Sequence, residues 1–441
     1  MAYTVSLASL GCSKNQIDAE IMLAKLALAG YEYTADEDEA DVVIVNTCAF
    51  IEDAKTESID VILDIARLKQ EGKLKLLVVT GCMAERYREQ ILQEMPEVDV
   101  VVGIGSNADI AEIITNALDK GGRVCRYDDK ELLPLSGPRF IATPHYMAYI
   151  KIAEGCDNRC TYCAIPGIRG RYRSRTLSDI VGEASMLAQR GVKELVLIAQ
   201  DTTRWGEDIG KERLADLLER LCRIDGIKWI RVLYAYPEKI DDRLISVIKD
   251  NPKIVKYIDI PLQHSEDKIL RRMNRRTTKS DIISLISKLR RSIPGIVLRT
   301  TILTGFPSET EQDFENLLQF IKEMKFDRLG CFAYSQEEGT PAADFDDQID
   351  EDTKVHRQEL VMQIQQEISD KINEEIIGQE REVLVEGYDA YIRMWYGRSE
   401  AEASEVDGKI FFRCAKEIEP GEFITVKIID TTEGDLVGES V

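Results

Sequence analysis

The sequence predicts an α/β protein in three parts: an amino-terminal open parallel α/β sheet, a central partial (β/α)6 barrel and a small carboxyl-terminal all-β barrel. Two series of short apolar strands alternate with helical segments, and a stretch rich in proline and glycine separates them. Short strands punctuated by glycines follow near the carboxyl terminus. The length of 441 residues is enough for two to four domains.

The amino-terminal part, predicted to span residues 1–130, repeats one unit three times. In each unit an apolar strand is followed at once by a cysteine and then by a helix. The strands are predicted at 3–10, 41–46 and 75–80, the cysteines are Cys12, Cys48 and Cys82, and the helices are predicted at 15–28, 53–69 and 85–95. Ligands bind beyond the carboxyl ends of strands in open parallel sheets, so we expect the three cysteines to converge. The alternative is that each packs as a small hydrophobic residue.

A linker is predicted at 131–144, within a stretch from 121 to 144 that contains several prolines and glycines. The central part, predicted at 145–372, contains six further strands. These are predicted at 149–152, 194–199, 230–235, 257–261, 297–303 and 328–334. A complete eight-unit barrel typically needs about 250 residues, so six units predict an incomplete barrel with its active site at the carboxyl ends of the strands.

Three cysteines directly follow the first of these strands. Cys156, Cys160 and Cys163 form a C-x3-C-x2-C run that has no fourth cysteine or histidine nearby. Iron–sulfur clusters are normally held by four cysteines, so three would leave one iron open for chemistry. A structural zinc site usually needs four protein ligands. The run therefore favours a cluster with an open iron, and a zinc scaffold is the alternative.

A long polar helix is predicted at 350–377, and the all-β part is predicted to occupy 373–441. Its strands are predicted at 382–386, 391–396, 409–413 and 422–429. From residue 372 to the carboxyl terminus there are 17 acidic and 7 basic side chains. A module that binds RNA normally presents a basic face, so this balance favours a basic protein as the partner.

The overall composition is that of an acidic globular protein. The formal net charge is −22, and no apolar run reaches the length of about 20 residues that a membrane helix needs. The first residues do not resemble a secretory signal, so the expected location is the cytoplasm. Disulfides are not expected there. Cys125, Cys222, Cys331, Cys414, His145 and His356 lack ligand spacing and are predicted to serve in packing.

Several other residues are candidates for binding because they lie at predicted strand ends. Gln200 and Asp201 end the second barrel strand, His264 follows the fourth and Gly305 follows the fifth. His264 is equally compatible with a structural role, and Gly305 would allow a close backbone approach. A basic run after the cysteines has two open interpretations, a solvated edge or an anion site. Its members are Arg169, Arg171, Arg173 and Arg175.

The run from Cys156 to Cys163, with Tyr162 before its last cysteine, resembles the signature of radical S-adenosylmethionine enzymes. The resemblance implies a [4Fe-4S] cluster whose open iron binds S-adenosylmethionine and cleaves it to a 5′-deoxyadenosyl radical. It also implies that Tyr162 lies near the adenine. Gln200, His264 and Gly305 become candidate cofactor contacts on the same basis.

The two cysteine triplets together resemble the methylthiotransferase family, and this resemblance covers essentially the whole chain. It implies a second [4Fe-4S] cluster, held by Cys12, Cys48 and Cys82, that carries the sulfur to be inserted. It also implies that the carboxyl-terminal part is a TRAM-like domain. Members modify either an adenosine of transfer RNA or an aspartate of small-subunit ribosomal protein twelve.

The opening Ser9-Leu10-Gly11-Cys12-Ser13-Lys14-Asn15 resembles the ribosomal-protein branch, whereas the transfer-RNA branch usually has Gln-Met-Asn after this cysteine. The prediction is therefore methylthiolation of the aspartate β-carbon, with an external electron donor and only a secondary role for direct RNA contact. Two alternatives stay open: a transfer-RNA adenosine methylthiotransferase, or a non-catalytic iron–sulfur protein that binds nucleic acid or transfers electrons. The segment 398–408 departs from the family's common wording, which leaves its contacts open.

Overall fold

The computed structural model describes residues 3–432 and 434–441, and its amino-terminal domain is a six-stranded parallel sheet. The elements of this domain are β1 (Thr4–Ser9), α1 (Ser13–Leu28), β2 (Glu32–Tyr33), β3 (Val42–Thr47), α2 (Glu52–Gln70), β4 (Leu76–Gly81), α3 (Cys82–Tyr87), α4 (Glu89–Glu94), β5 (Val100–Val102), α5 (Ile110–Lys120) and β6 (Val124–Arg126). The strand order is β2-β1-β3-β4-β5-β6. Strands β3 and β4 are apolar and fully buried because helices cover both faces of the sheet.

Several details of this domain differ from the sequence prediction. The helix predicted at 85–95 is two short helices, α3 and α4, because Arg88 between them has a positive φ of 49°. The strands β2, β5 and β6 and the helix α5 were not predicted. Strand β6 pairs with β5 and lies before the predicted linker at 131–144. Strands of two or three residues are too short to identify from alternation in the sequence.

The central domain is a six-stranded parallel sheet in the order β7-β10-β11-β12-β13-β14, which confirms the predicted partial barrel. Its elements are β7 (Met147–Lys151), β8 (Ala153–Glu154), α6 (Ile165–Arg169), β9 (Arg173–Ser174), α7 (Leu177–Gln189), β10 (Glu194–Ile198), α8 (Leu214–Leu221), β11 (Trp229–Val232), α9 (Asp242–Asp250), β12 (Ile254–Gln263), α10 (Asp267–Arg272), α11 (Lys279–Ser292), β13 (Val297–Thr304), α12 (Glu311–Met324), β14 (Arg328–Ala333) and α13 (Glu351–Glu375). Helix α13 covers the edge strand β14, where the Gln358 amide bonds the backbone of Cys331 and Ala333.

The carboxyl-terminal domain is a closed five-stranded barrel, as the all-β prediction required. Its strands are β15 (Glu380–Asp389), β16 (Met394–Arg398), β17 (Ile410–Arg413), β18 (Phe423–Thr432) and β19 (Asp435–Ser440). The sequence prediction missed β19, which has little apolar alternation and contains Gly438. This glycine is needed because a Cβ there would lie 2.3 Å from the Val426 side chain. None of the described helices is long and apolar enough to cross a membrane.

The segment 399–407, between β16 and β17, packs against the amino-terminal halves of the central barrel strands. We call it the barrel plug. Its Ala403 belongs to the same apolar cluster as Tyr149 and Tyr257, on the face of the barrel sheet opposite the helices. The Tyr257 hydroxyl donates to Asp407 at 2.7 Å, and the Arg328 guanidinium pairs with Glu402 at 3.2 Å. The segment whose contacts the sequence left open is therefore an internal contact of the protein.

Next to the barrel plug, the carboxylate of Glu194 is fully buried between Arg398 and Arg231, at N–O distances of 2.6 Å and 2.8 Å. Burial opposes ionisation, but the two guanidinium groups outweigh it and lower the pKa of Glu194 from 4.5 to about 2. The ion pairs should therefore stabilise the fold fully above about pH 4.5, and this contribution should be lost as the pH falls towards 2.

Urea unfolding between pH 3 and 7 checks this expectation. Glu194→Gln removes the carboxylate partner of the buried Arg231 and leaves the buried Arg398 with Glu386 alone. It should lower the unfolding free energy at pH 7 by about 3 kcal/mol. The difference between the variant and the wild type should shrink below pH 4.5. A difference that stays constant from pH 7 to pH 3 would contradict the role assigned to the Glu194 carboxylate.

Candidate active site between two cysteine triplets

The dispersed cysteines lie at the carboxyl edge of the amino-terminal sheet. Cys12 directly precedes α1, Cys48 follows β3 and Cys82 begins α3. Gly11 passes so close to Cys48 that a Cβ on the glycine would lie 2.8 Å from the Cys48 Sγ atom. Burial raises the pKa of Cys82 to about 12, and charge on Cys48 and Cys12 adds to this shift. The Asn15 side chain accepts from the Cys82 thiol at 3.8 Å and donates to the Thr47 carbonyl beside Cys48 at 2.9 Å. The strand ends that carry the three cysteines therefore converge, as the sequence predicts.

The compact triplet lies in the loop between β8 and α6, at the carboxyl end of the first barrel strand. Gly155 has a φ of +76°, and a Cβ there would lie 2.1 Å from the Arg171 carbonyl oxygen. The Asn158 amide donates to the buried Asp201 carboxylate at 2.9 Å, which fixes the loop against the second barrel strand. Burial raises the pKa of Cys156 to about 11. The thiols must therefore lose protons when they take up metal.

The donor chemistry of both triplets fits iron–sulfur clusters. Each triplet offers three thiols, and thiolates are the usual ligands of such clusters. A cluster presents a separate iron to each thiolate, whereas a single zinc ion needs all its ligands around one point. Within residues 3–432 and 434–441, no group of three or more His, Cys, Asp or Glu side chains could hold a single metal ion.

Arg169 connects the two triplets, a link that sequence reasoning did not predict. Its side chain is 1% exposed and pairs with Asp18 of α1 at 2.5 Å and with Glu154 of β8 at 3.2 Å. The same guanidinium donates to Asn15 at 2.7 Å and to the Cys82 Sγ atom at 3.4 Å. Glu154 lies two residues before the compact triplet, so one arginine contacts a ligand of the first triplet and the strand that leads into the second.

The other members of the basic run do not share one environment. The Arg171 side chain is 80% exposed, as the solvated-edge interpretation predicts. The Arg173 guanidinium donates to the backbone carbonyl of Glu131. Arg175 is buried and pairs with Glu183 at 2.6 Å. The run as a whole is therefore not one anion site.

Of the candidate cofactor contacts, Tyr162 and Gln200 lie beside the compact triplet. Tyr162 packs against a buried cluster that includes Phe306 and Tyr334, and it lines a small cavity of about 170 Å³. The Gln200 amide donates to Glu154 at 2.8 Å, while its buried carbonyl oxygen has no hydrogen-bond partner in the described chain. That oxygen is free to accept a hydrogen bond from a ligand.

His264 and Gly305 have partners inside the protein. The fully buried His264 accepts a hydrogen bond at Nδ1 from the Glu266 backbone, which leaves the proton on Nε2 to face Glu309 at 3.2 Å. Glu309 also accepts a bond from the Gly305 backbone N–H. A Cβ on Gly305 would lie 2.3 Å from the Lys354 side chain, so its close neighbour is α13. These contacts favour the structural alternative for His264.

A cleft of about 530 Å³ between the first two domains reaches the compact triplet. Its lining includes Arg86 and Arg88 from the amino-terminal domain and Arg159, Cys160 and Cys163 from the barrel. The loop after β14 closes one side, because the Glu337 carboxylate pairs with Arg86 at 2.7 Å and with Lys55 at 3.2 Å. The cleft gives a substrate access to the compact triplet, since Cys160 and Cys163 line it.

Models of known families match three parts of the chain. The uncharacterized protein family UPF0004 matches residues 4–103, the radical SAM superfamily matches 150–321 and the TRAM domain matches 377–441. Among solved structures, the radical S-adenosylmethionine methyltransferase TsrM from Kitasatospora setae is 15% identical, with a TM-score of 0.57 over 87% of this chain and 81% of that one. The cobalamin-dependent radical enzyme OxsB is 14% identical, with a TM-score of 0.51 over 82% of this chain and 56% of that one. At this identity the likeness shows a shared fold.

Fold and sequence together place the chain in the radical S-adenosylmethionine superfamily. Curated relatives narrow this further. Two proteins described as ribosomal protein uS12 methylthiotransferase RimO, from Clostridioides difficile (strain 630) and Thermoanaerobacter sp. (strain X514), are each 51% identical over 99% of this chain and cover 98% and 99% of their own lengths. The chain belongs to the ribosomal protein uS12 methylthiotransferase family, which confirms the resemblance seen in the sequence.

Gly11 allows a test of the amino-terminal triplet on its own. Gly11→Ala should push the Cys48 thiol aside, because the new Cβ would lie 2.8 Å from its Sγ atom. We expect the reconstituted variant to bind about half as much iron as the wild type, since one of two four-iron clusters would be lost. Cleavage of S-adenosylmethionine at the other triplet should continue. Iron analysis and chromatography of 5′-deoxyadenosine measure the two results.

Gly30→Ala is the matched control. Gly30 has nearly the same φ, +93°, but a Cβ there would meet no atom within 4 Å. Both substitutions carry the same left-handed backbone cost of about 1 kcal/mol. Equal loss of iron in the two variants would show that backbone strain, and not displacement of the Cys48 thiol, is responsible.

Proposed function

We propose that this protein attaches a methylthio group to the β-carbon of an aspartate in ribosomal protein uS12. One observation carries the proposal: two cysteine triplets, one in each of two domains, are linked by the buried Arg169. Its guanidinium group contacts the Cys82 sulfur and pairs with Glu154, just before the compact triplet. Full-length similarity to relatives named for this reaction supports it. When bound, two [4Fe-4S] clusters and S-adenosylmethionine would supply a hydrogen-abstracting radical, sulfur and a methyl group.

The chain itself holds and orients these groups. In our proposal Cys156, Cys160 and Cys163 ligate the cluster that works with S-adenosylmethionine, and Cys12, Cys48 and Cys82 ligate the second cluster. Residues 1–130, 145–372 and 373–441 act as the three functional units, with 131–144 as the connection. Abstraction of hydrogen needs the target carbon to be positioned close to the radical. In our proposal the interdomain cleft, which Cys160 and Cys163 line, would supply this position.

The cofactor contacts are proposed at four residues. Tyr162 would lie along the adenine, and the unpaired carbonyl oxygen of Gln200 would accept a hydrogen bond from the cofactor. His264 and Gly305 would shape the wall of the cofactor pocket, because Glu309 contacts both residues and holds them in place. The electron needed to start the reaction would come from an external donor.

A protein substrate is favoured over RNA by the surface of the carboxyl-terminal barrel. This region has 17 acidic and 7 basic side chains, and ribosomal proteins are basic. The barrel plug faces the central domain and is not presented to a partner. We therefore propose that the acidic surface attracts uS12 and that direct contact with RNA is secondary.

The test is anaerobic reconstitution with three substrates in parallel: a uS12 peptide that contains the target aspartate, intact small ribosomal subunits and a transfer-RNA stem-loop. We expect a mass gain of one methylthio group on the peptide or on uS12 and none on the RNA. Modification of the stem-loop alone would assign the protein to adenosine modification. A protein that forms no 5′-deoxyadenosine after reduction would be a non-catalytic iron–sulfur protein.

A further inference from the structure

Among the residues that the structure describes, Lys14 is a buried lysine without an anionic partner. It lies close to Cys12 in sequence and contacts the barrel near Cys160. It follows Cys12 by two residues on the first turn of α1. Its Nζ atom lies 3.2 Å from the centroid of the Tyr234 ring, at the end of β11. Two residues further, the Tyr236 hydroxyl lies 3.6 Å from the Cys160 Sγ atom. Short stretches of chain thus connect Lys14 to a cysteine of each triplet.

The other buried lysines of the described chain all have carboxylate partners. Lys151 pairs with Asp18 at 2.5 Å and Glu154 at 2.7 Å, and Lys354 pairs with Glu351 at 2.9 Å. Lys14 is only 9% exposed, and in residues 3–432 and 434–441 its ammonium group is placed against an aromatic ring without an ion pair. A buried charge is costly unless it is paired, so an unpaired one points to a partner that arrives with a ligand.

The residue beneath Lys14 has a constrained backbone. Tyr234 has a positive φ of 61°, which is unusual for a bulky residue. Its backbone N–H donates to the Asp259 carboxylate at 3.0 Å, and its carbonyl accepts from Thr202 at 3.1 Å. Strained backbone that the surroundings hold in place clusters at ligand sites. The ring that faces the Lys14 ammonium group therefore projects from a backbone that two hydrogen bonds hold in place.

We infer that Lys14 binds the side-chain carboxylate of the substrate aspartate and so selects an acidic residue as the target. This inference rests on the proposed function. The aspartate is ionised at neutral pH and supplies the missing anion. Its carboxylate is bonded directly to the β-carbon, so holding the carboxylate fixes the carbon to be modified within one bond. Lys14 is in this sense a positioning and specificity residue.

The same position offers a physical contrast between substrates. An adenine base carries no carboxylate and gives a buried ammonium group nothing to pair with. Methionine is of similar length to lysine and is uncharged. Lys14→Met is therefore the substitution that removes the charge while keeping the apolar stem.

Binding of two labelled peptides tests the inference without turnover. The enzyme with both clusters reconstituted and S-adenosylmethionine present, but without reductant, is titrated into a fluorescein-labelled uS12 peptide and into the same peptide with asparagine at the target. We expect Lys14→Met to bind the aspartate peptide roughly tenfold to hundredfold more weakly. Its affinity for the asparagine peptide should change little, so its preference for aspartate should disappear.

Two further variants serve as controls. Lys14→Arg keeps the charge and should keep the preference for aspartate. Lys25→Met removes a lysine from the same helix, where its Nζ atom donates to the Ala108 carbonyl at 2.9 Å, and should bind both peptides like the wild type. Thermal unfolding and iron content establish that each variant is folded and loaded.

The possible outcomes separate the inference from the proposed function. If the wild type prefers the aspartate peptide and Lys14→Met keeps that preference, the role of Lys14 is overturned while the proposed function stands. If the wild type binds neither peptide and modifies only the RNA stem-loop, both are overturned. Loss of affinity for both peptides to the same extent would show a general structural role for Lys14 and would also overturn the inference.

Discussion

Cys156→Ala is expected to abolish formation of 5′-deoxyadenosine while the protein keeps the iron held by the amino-terminal triplet. A cluster with only two protein thiolates in place of three loses the ligand set that this loop provides. The loop itself should survive, because two of its hydrogen bonds do not involve the cysteine side chains. These are the Asn158–Asp201 bond and the bond from the Thr161 hydroxyl to the Arg272 carbonyl at the end of α10. Chromatography after chemical reduction measures the amount of 5′-deoxyadenosine. We expect this amount to decrease by a factor of about one hundred or more.

The matched variant is Cys48→Ala in the other triplet. It should still cleave S-adenosylmethionine but should transfer no methylthio group to the uS12 peptide. Iron content should fall by about half in each variant, since each retains one cluster of four irons. If Cys48→Ala also stopped the cleavage, the two triplets would form one functional centre and the division of tasks proposed above would be wrong.

Arg169→Leu is expected to cause a large loss of stability, of the same size as that expected for Glu194→Gln. Asp18 and Glu154 are nearly or fully buried, and removal of the guanidinium leaves Lys151 to balance both carboxylates. Breaking a buried ion pair on one side typically costs 3–5 kcal/mol, and we expect a loss of about 3 kcal/mol because Lys151 remains. The position of the first urea unfolding transition measures the change.

Arg171→Leu controls for the loss of a positive charge in the same loop. Its side chain is 80% exposed and lies 4.0 Å from Asp157, so the cost should stay within about 0.5 kcal/mol. A similar loss in both variants would show that the net charge of the loop matters and that the buried network around Arg169 does not. Arg169→Lys tests geometry, since lysine cannot reach both Asp18 and the Cys82 sulfur with a planar fork.

Much of the fold follows from local patterns in the sequence. Apolar strands followed by a cysteine and a helix identified the units that carry Cys12, Cys48 and Cys82, because side-chain periodicity and helix starts are local properties. The six barrel strands were recognisable for the same reason. The missed strands include β2, β5, β6 and β19. The first three have only two or three residues, β19 is poor in apolar residues, and all four are strands because of neighbours distant in sequence.

The candidate site could be predicted from the sequence only where the spacing of the ligand residues identifies the chemistry. Three cysteines within eight residues identify the compact triplet directly. The roles of Arg169 and Lys14 depend on partners from other domains, such as Asp18 with Arg169 and Tyr234 with Lys14, and no local signal reports such contacts. Burial decides whether an arginine in a basic run is a solvated side chain or a buried link, and the sequence of the run is the same in either case.

The barrel plug has a consequence for how this enzyme can be taken apart or changed. Because Ala403, Glu402 and Asp407 pack against barrel side chains, the carboxyl-terminal domain completes the core of the catalytic domain. Deleting it would expose Tyr149 and Tyr257 to water and strip Glu194 of Arg398. A domain of this kind is not an interchangeable adaptor. Substitutions that alter which partner this domain recognises must leave its inner surface intact. Changes in partner recognition are therefore restricted to its outer face.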